Sequence, residues 1–179
     1  MSLVQKSPAV FLAEGPVATI GPADIEVLRQ AVRQTPKRRA RINAHPGHED
    51  ALHEMVIAIE PASYIRPHRH PGKSEAFHII EGEVDIVVFR DDGAIEQIVS
   101  LSEKGTTHPF YYRMSEPRFH TLVIRSDLLI VHEITNGPFR PEGTIYAAFA
   151  PAEDDVAAAA AFQTELTKRV AAFIREKHS

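Results

Sequence analysis

Residues 21–35, "GPADIEVLRQAVRQT", place apolar Ile25, Leu28 and Val32 at three- and four-residue intervals, which predicts a helix with one apolar face. Pro22 suits its first turn, Asp24 and Glu26 suit the positive end of the helix dipole, and Pro36 stops the run. From about residue 50 to 137 the pattern changes to short β-like runs: "EMVIAIE", "YIRPHRH", "EAFHIIEGEVDIVVF", "AIEQIVSL", "RFHTLVI" and "LLIVHEI". The turn Asp91–Asp92–Gly93 predicts a hairpin, and "RSD" at 125–127 predicts that the two runs around it pair as another. Short strands at this spacing predict an all-β sandwich or barrel. Residues 152–177 return to helical spacing, with Phe162, Leu166, Val170 and Phe173 on one face, and are expected to pack on the barrel or on a second subunit. The expected division is a strand and helix extension over 1–46, the barrel over 47–140, and a C-terminal extension with its helix over 141–179.

Composition narrows the classes. The length of 179 residues suits one domain, and 44% hydrophobic residues suffice for a core. No apolar run approaches the roughly 20 residues of a membrane helix, and no basic-then-apolar start marks a secretory signal. A cytoplasmic protein without a membrane partner is the expectation. A net charge of -4 speaks against a general nucleic-acid binder. The apolar stretch "AVFLAEGPVATI" at 9–20, together with the need to cover sheet edges, predicts a homodimer. The chain has no Cys, so any metal site must use His and carboxylates.

Such a site is suggested by "PHRHPGKSE" at 67–75. In a strand, residues two apart share a face, so His68 and His70 present two imidazoles to one space. A short return through Pro71 and Gly72 brings Glu75 back to them, and His120 in a later β-like run supplies a distant fourth donor. Imidazole and carboxylate donors suit a divalent transition metal, whether Fe, Mn, Ni, Cu or Zn. Strand parity puts Glu75, Phe77 and Ile79 on one face and His78 on the other. His132 shares parity with Ile130 and Ile134, an interior or interface position, and His108 falls in a loop.

His68-x-His70, four residues, Glu75, six residues, Gly82 resembles the first motif of the cupins. The segments from Arg38 to Gly93, "FHTLVI", "HEITNGPF" and "AAFAPAE" further resemble the WbuC-type cupin-fold metalloproteins, over roughly residues 20 to 155. The sequence departs from the general pattern at Ala62, where Gly is usual, and around His120, where no Gly follows Pro117 and Ile124 replaces Asn. The resemblance implies a mostly β, double-stranded β-helix (jelly-roll) barrel. It also implies a role in surface-polysaccharide (O-antigen) biosynthesis, on a sugar, nucleotide-sugar or related acid.

The basic run "PKRRARINAH" alternates, so Arg39, Arg41, Asn43 and His45 share one face of a strand. That strand is either a solvated edge or an anion-binding wall, since guanidinium forks match carboxylate and phosphate. Arg66, in register with His68, and Lys73 at the mouth join the candidate ligand-binding residues; Tyr64, His45 and Glu133 are the candidate acids and bases. Two functions are open: an isomerase or epimerase, lyase or dioxygenase acting on an anionic sugar derivative, or a non-catalytic, metal-dependent sensor of a small ligand.

Overall fold

The computed structural model describes residues 3–177, so His178 lies outside the described residues. The strands are β1 (Leu3–Ser7), β2 (Val10–Ala13), β3 (Arg39–Asn43), β4 (Leu52–Ile59), β5 (His68–Arg69), β6 (Glu75–Glu81) and β7 (Glu83–Phe89). They continue with β8 (Ile95–Ser102), β9 (Tyr111–Met114), β10 (Phe119–Ile124), β11 (Leu129–Asn136) and β12 (Ile145–Tyr146). Helix α1 (Pro22–Gln34) lies between β2 and β3, and α2 (Val156–Lys177) ends the described chain.

One sheet runs β1-β2-β3-β4-β11-β6-β9 and the other β12-β5-β10-β7-β8. The two face each other as a jelly-roll barrel of the cupin type, with strands from distant parts of the sequence alternating between sheets. Alternation along each strand decides what fills the inside. On β4, Ile57 and Ile59 point inward, whereas Val56 and Ala58 pack outward with Leu28 and Val32 of α1. Helix α2 covers the second sheet, burying Leu166 and Val170 against Val87, Phe89 and Phe119. Gly82 turns β6 into β7 at φ +88°, where a Cβ would collide with the Leu128 carbonyl. That collision explains why a glycine stands between two otherwise continuous β runs.

The β7–β8 hairpin forms around Asp91–Gly93. Three other expectations are corrected. The runs around "RSD" do not pair: β10 joins β5 and β7, while β11 sits between β4 and β6. Both strands are buried, and the turn between them carries the chain from one sheet to the other, so each finds partners on both sides. The run "YIRPHRH" contributes only His68–Arg69 to a ladder, because Pro67 has no N–H to donate. Part of the stretch 9–20 is engaged within the chain. Its β2 pairs in parallel with β3, and Phe11 and Ala13 are buried beside α1 in the same chain. Finally, β3 is no edge: β2 and β4 flank it, which turns Arg39 and Arg41 toward the barrel interior while Ala40 and Ile42 meet α1.

Candidate metal centre

His120 on β10 lies directly opposite His68 on β5, and Glu75 opens β6 in the facing sheet. The donor atoms of His68, Glu75 and His120 lie within 4.8 Å of one another. His120 Nε2 is 3.2 Å from Glu75 Oε1, and His70 Nε2 is 3.7 Å from Glu75 Oε2, so His70 stands just outside the tightest trio. The other ring nitrogens are already occupied. His68 Nδ1 donates to the Arg66 carbonyl at 2.8 Å, His120 Nδ1 donates to the Arg118 carbonyl at 3.0 Å, and His70 Nδ1 is hydrogen-bonded to the Thr144 hydroxyl at 3.2 Å. With Nδ1 committed in each case, Nε2 is the nitrogen left to bind, the arrangement expected of imidazole ligands held by an outer shell.

The electrostatics suit a cation. Burial pushes His68 down to about 4, so it is neutral and ready to donate a lone pair. Burial alone would raise the Glu75 carboxyl, but His120, the Tyr112 hydroxyl and His68 outweigh it and hold it at about 2. His120 moves the other way: burial lowers it, Glu75 more than compensates, and its pKa ends above the usual value. In the metal-free chain the His120 proton therefore occupies the place of a cation beside a buried carboxylate. The donor set fits a divalent transition ion.

The cluster lies on the wall of a cavity of about 750 Å³ between the sheets. Arg39, Arg41 and Arg66 reach the same cavity, as does Glu133 of β11. Burial, then repulsion from Glu75, raises the Glu133 carboxyl to about 8, with Arg41 and His120 acting against the rise. Arg41 is accessible from the cavity yet enclosed enough for burial to lower its pKa; its Nε donates to Asn43 Oδ1 at 3.1 Å.

The remaining candidates lie elsewhere. Tyr64 donates its hydroxyl to the Pro151 carbonyl at 2.9 Å, and burial raises it to about 12, so it serves as a strut and not as an acid in the cavity. His45 is buried and stacked on His53 at 4.1 Å, outside the cavity, because the chain has left β3 and turned before it. Asn43 is spent on Arg41. Lys73 alone stays beside the cluster: its Nζ donates to the Pro138 carbonyl at 2.9 Å, and it lines a small pocket with His70, Glu75 and His120, off the main cavity. His132 does not enter the barrel; it pairs with outward-facing His78 and lies 3.7 Å from Glu54 on the outer face. Sequence reasoning missed Tyr112, whose hydroxyl donates to Glu75 at 2.6 Å. The signal was weak, since β9 has only four residues, but Tyr112 is one strand over from Phe77, on the parity that faces inward.

A jelly-roll barrel with imidazole and carboxylate donors gathered inside one end defines a cupin-fold protein with a potential metal site. A family model described as a domain of unknown function, DUF6016, matches residues 20–101. No curated protein matches the chain in sequence. Among solved structures, a protein of Shewanella oneidensis aligns at TM-score 0.48 and 10% identity over 60% of this chain and 67% of that one. The cupin domain of Schizosaccharomyces pombe Cnp3 aligns at 0.43 and 8% identity, over 55% and 64%. An oxalate oxidase in complex with the substrate analogue glycolate aligns at 0.47 and 14% identity, over 63% and 56%.

Proposed function

We propose that the chain is a metal-dependent cupin-fold enzyme acting on a small anionic molecule. His68, His70, Glu75 and His120 are its metal ligands in this reading. The observation that carries it is the convergence of imidazole Nε2 atoms on a buried, ionised Glu75 at the wall of a large cavity. A divalent ion held there supplies a Lewis acid with positions open to substrate oxygens. Arg39, Arg41 and Arg66 attract and orient an anion. Glu133 favours catalysis over binding alone. It is a carboxyl in the same cavity whose raised pKa suits it to hold or accept a proton near neutrality, which is the property of a general acid or base. A divalent ion near Glu75 lowers that pKa from its metal-free value.

The test is metal analysis of protein purified without an affinity tag, followed by turnover assays of acids and sugar acids. The reading expects one ion per chain in the wild type and in Glu133→Gln, with turnover lost in the variant alone. Tight ligand binding without turnover in the wild type would instead identify a sensor. A metal-free wild type after loading with Mn, Fe, Ni, Cu or Zn would sink the proposal.

A further inference from the structure

The rim of the cavity carries more positive charge than the chain itself neutralises. Lys37, Arg39 and Arg41 line it together with one carboxylate, Glu153. Arg39 and Arg41 are two residues apart on β3 and so point to the same side. Glu153 occupies the first of them as a ligand would. Arg39 Nη2 donates to Glu153 Oε1 at 2.9 Å and to Oε2 at 3.1 Å, and Lys37 Nζ donates to Oε2 at 2.7 Å. Burial raises the Glu153 carboxyl, but the hydrogen bonds from Lys37 and Arg39 outweigh it and leave its pKa below the usual value, so it is an anion at neutral pH. Arg41, in contrast, has no ion pair among the described residues. Its Nε is spent on Asn43 Oδ1, which leaves its two Nη groups for a ligand.

The sheet register places this charge at one side of the cavity. Arg39 shares a cross-strand row with Leu129 and Arg41 the next inward-facing row with Val131. Glu133 follows on the third row and Glu75, opposite Thr135, on the fourth. Two cationic rows are thus succeeded by two that bear carboxylates, and an anionic group is favoured at the arginines. The Glu153 carboxylate is free to leave them. It keeps 27% of its exposure and Lys37 keeps 67%, and ion pairs so open to water are weak. The segment that carries it is anchored independently, by the Tyr64 hydroxyl on the Pro151 carbonyl at 2.9 Å and by Arg66 Nη2 on the Ala147 carbonyl at 3.0 Å. Rotation of one side chain into water therefore opens Lys37 and Arg39 without moving the backbone.

The charges decide what takes its place. A monocarboxylate that displaces Glu153 repeats the same contacts and adds only Arg41. A phosphate monoester brings close to two charges and three terminal oxygens, enough for Lys37, Arg39 and Arg41 together. We propose that this rim is a phosphate subsite whose resident anion is Glu153, displaced when a small phosphorylated ligand binds across Lys37, Arg39 and Arg41. The subsite deepens the anion reading given above, and it stands apart from the metal cluster.

Calorimetric titration of the full chain at low salt and pH 7.5, with inorganic phosphate and with acetate as the monoanion, tests it. Wild type should bind phosphate at least about tenfold more tightly than acetate. Glu153→Gln should tighten phosphate about tenfold, a gain that loss of a purely structural ion pair does not produce, and Arg39→Gln in that background should cancel the gain. Glu153→Asp, which keeps the charge on a shorter arm, should give a smaller gain. Arg41→Gln should weaken phosphate at least about tenfold with metal content unchanged. Phosphate no tighter in Glu153→Gln and in Glu153→Asp, while Arg41→Gln still weakens it, overturns the role of Glu153 and leaves the anion reading in place. Phosphate binding that ignores Arg41→Gln, as binding to a metal ion would, or acetate bound as tightly as phosphate, overturns the subsite itself.

Discussion

Replacing Glu133 by Gln is expected to stabilise the metal-free protein, and chiefly above pH 5. The Glu133 pKa is raised from 4.5 to about 8, first by burial and then by Glu75. Between those values the folded state keeps a proton that the unfolded state has released, so stability falls as pH rises through the window. At pH 7 the difference spans about 2.5 pH units, or roughly 3 kcal/mol. Water in the cavity screens part of it, which leaves about 2 kcal/mol. Glutamine has the same shape and no charge to bury. Urea unfolding of both metal-free proteins should therefore show a gain of about 2 kcal/mol for the variant at pH 7.5 and little at pH 5. Equal midpoints at pH 7.5, or the same gain at both pH values, would refute the assignment of a proton to Glu133.

His68→Ala and His70→Ala should each abolish stoichiometric metal by elemental analysis with an unchanged circular dichroism spectrum, because the apolar barrel does not depend on the ion; His78→Ala, on the outer face, should keep its metal. Metal content that survives His120→Ala would remove His120 from the ligand set. Tyr112→Phe keeps the ring packed on Phe77 but deprives Glu75 of a donor, and should weaken metal affinity about 10- to 100-fold in a competition titration. Metal binding near pH 7 should release a proton from His120, whose pKa Glu75 raises, so the apparent binding enthalpy should vary with buffer ionisation enthalpy; an enthalpy independent of buffer would contradict that protonation state.

The sequence was most informative where a local rule and a long-range need agree. Helix α1 runs from Pro22 to Gln34 because its N-terminal proline, acidic first turn and apolar stripe all favour it, and the stripe then meets the outward face of β4. Parity put Glu75 and Phe77 inside and His78 outside, as the burial along β6 has it. Parity alone could not assign a strand to a sheet. It read β10 and β11 as neighbours because they are close in sequence, whereas jelly-roll topology separates such strands. The same gap hid the role of "RARIN": alternation marked the arginine face but not its direction, which depends on β2 closing over the other edge of β3. His45 shares that parity, yet the strand ends at Asn43 and its side chain leaves the row.

The histidine cluster and the arginine-bearing β3 wall of the cavity are encoded by different parts of the chain. The cluster needs only β5, β6 and β10; the cupin-like motif covers the first two, and His120 comes from β10 outside it. Arg41 needs β3 held against β4, and that depends on elements at both ends of the chain. At the N-terminal side, β2 and α1 cover β3. At the C-terminal side, Glu153 pairs with Arg39 at 2.9 Å and Lys37 at 2.7 Å, Tyr64 bonds the Pro151 carbonyl, and Gln163 of α2 donates to the Pro61 carbonyl. Each surface ion pair contributes little to stability by itself. Together they fix the entry of β3 relative to the loop before β5. Changes in these flanking segments can thus alter the reach and charge of the arginine-bearing wall while the histidine cluster stays in place.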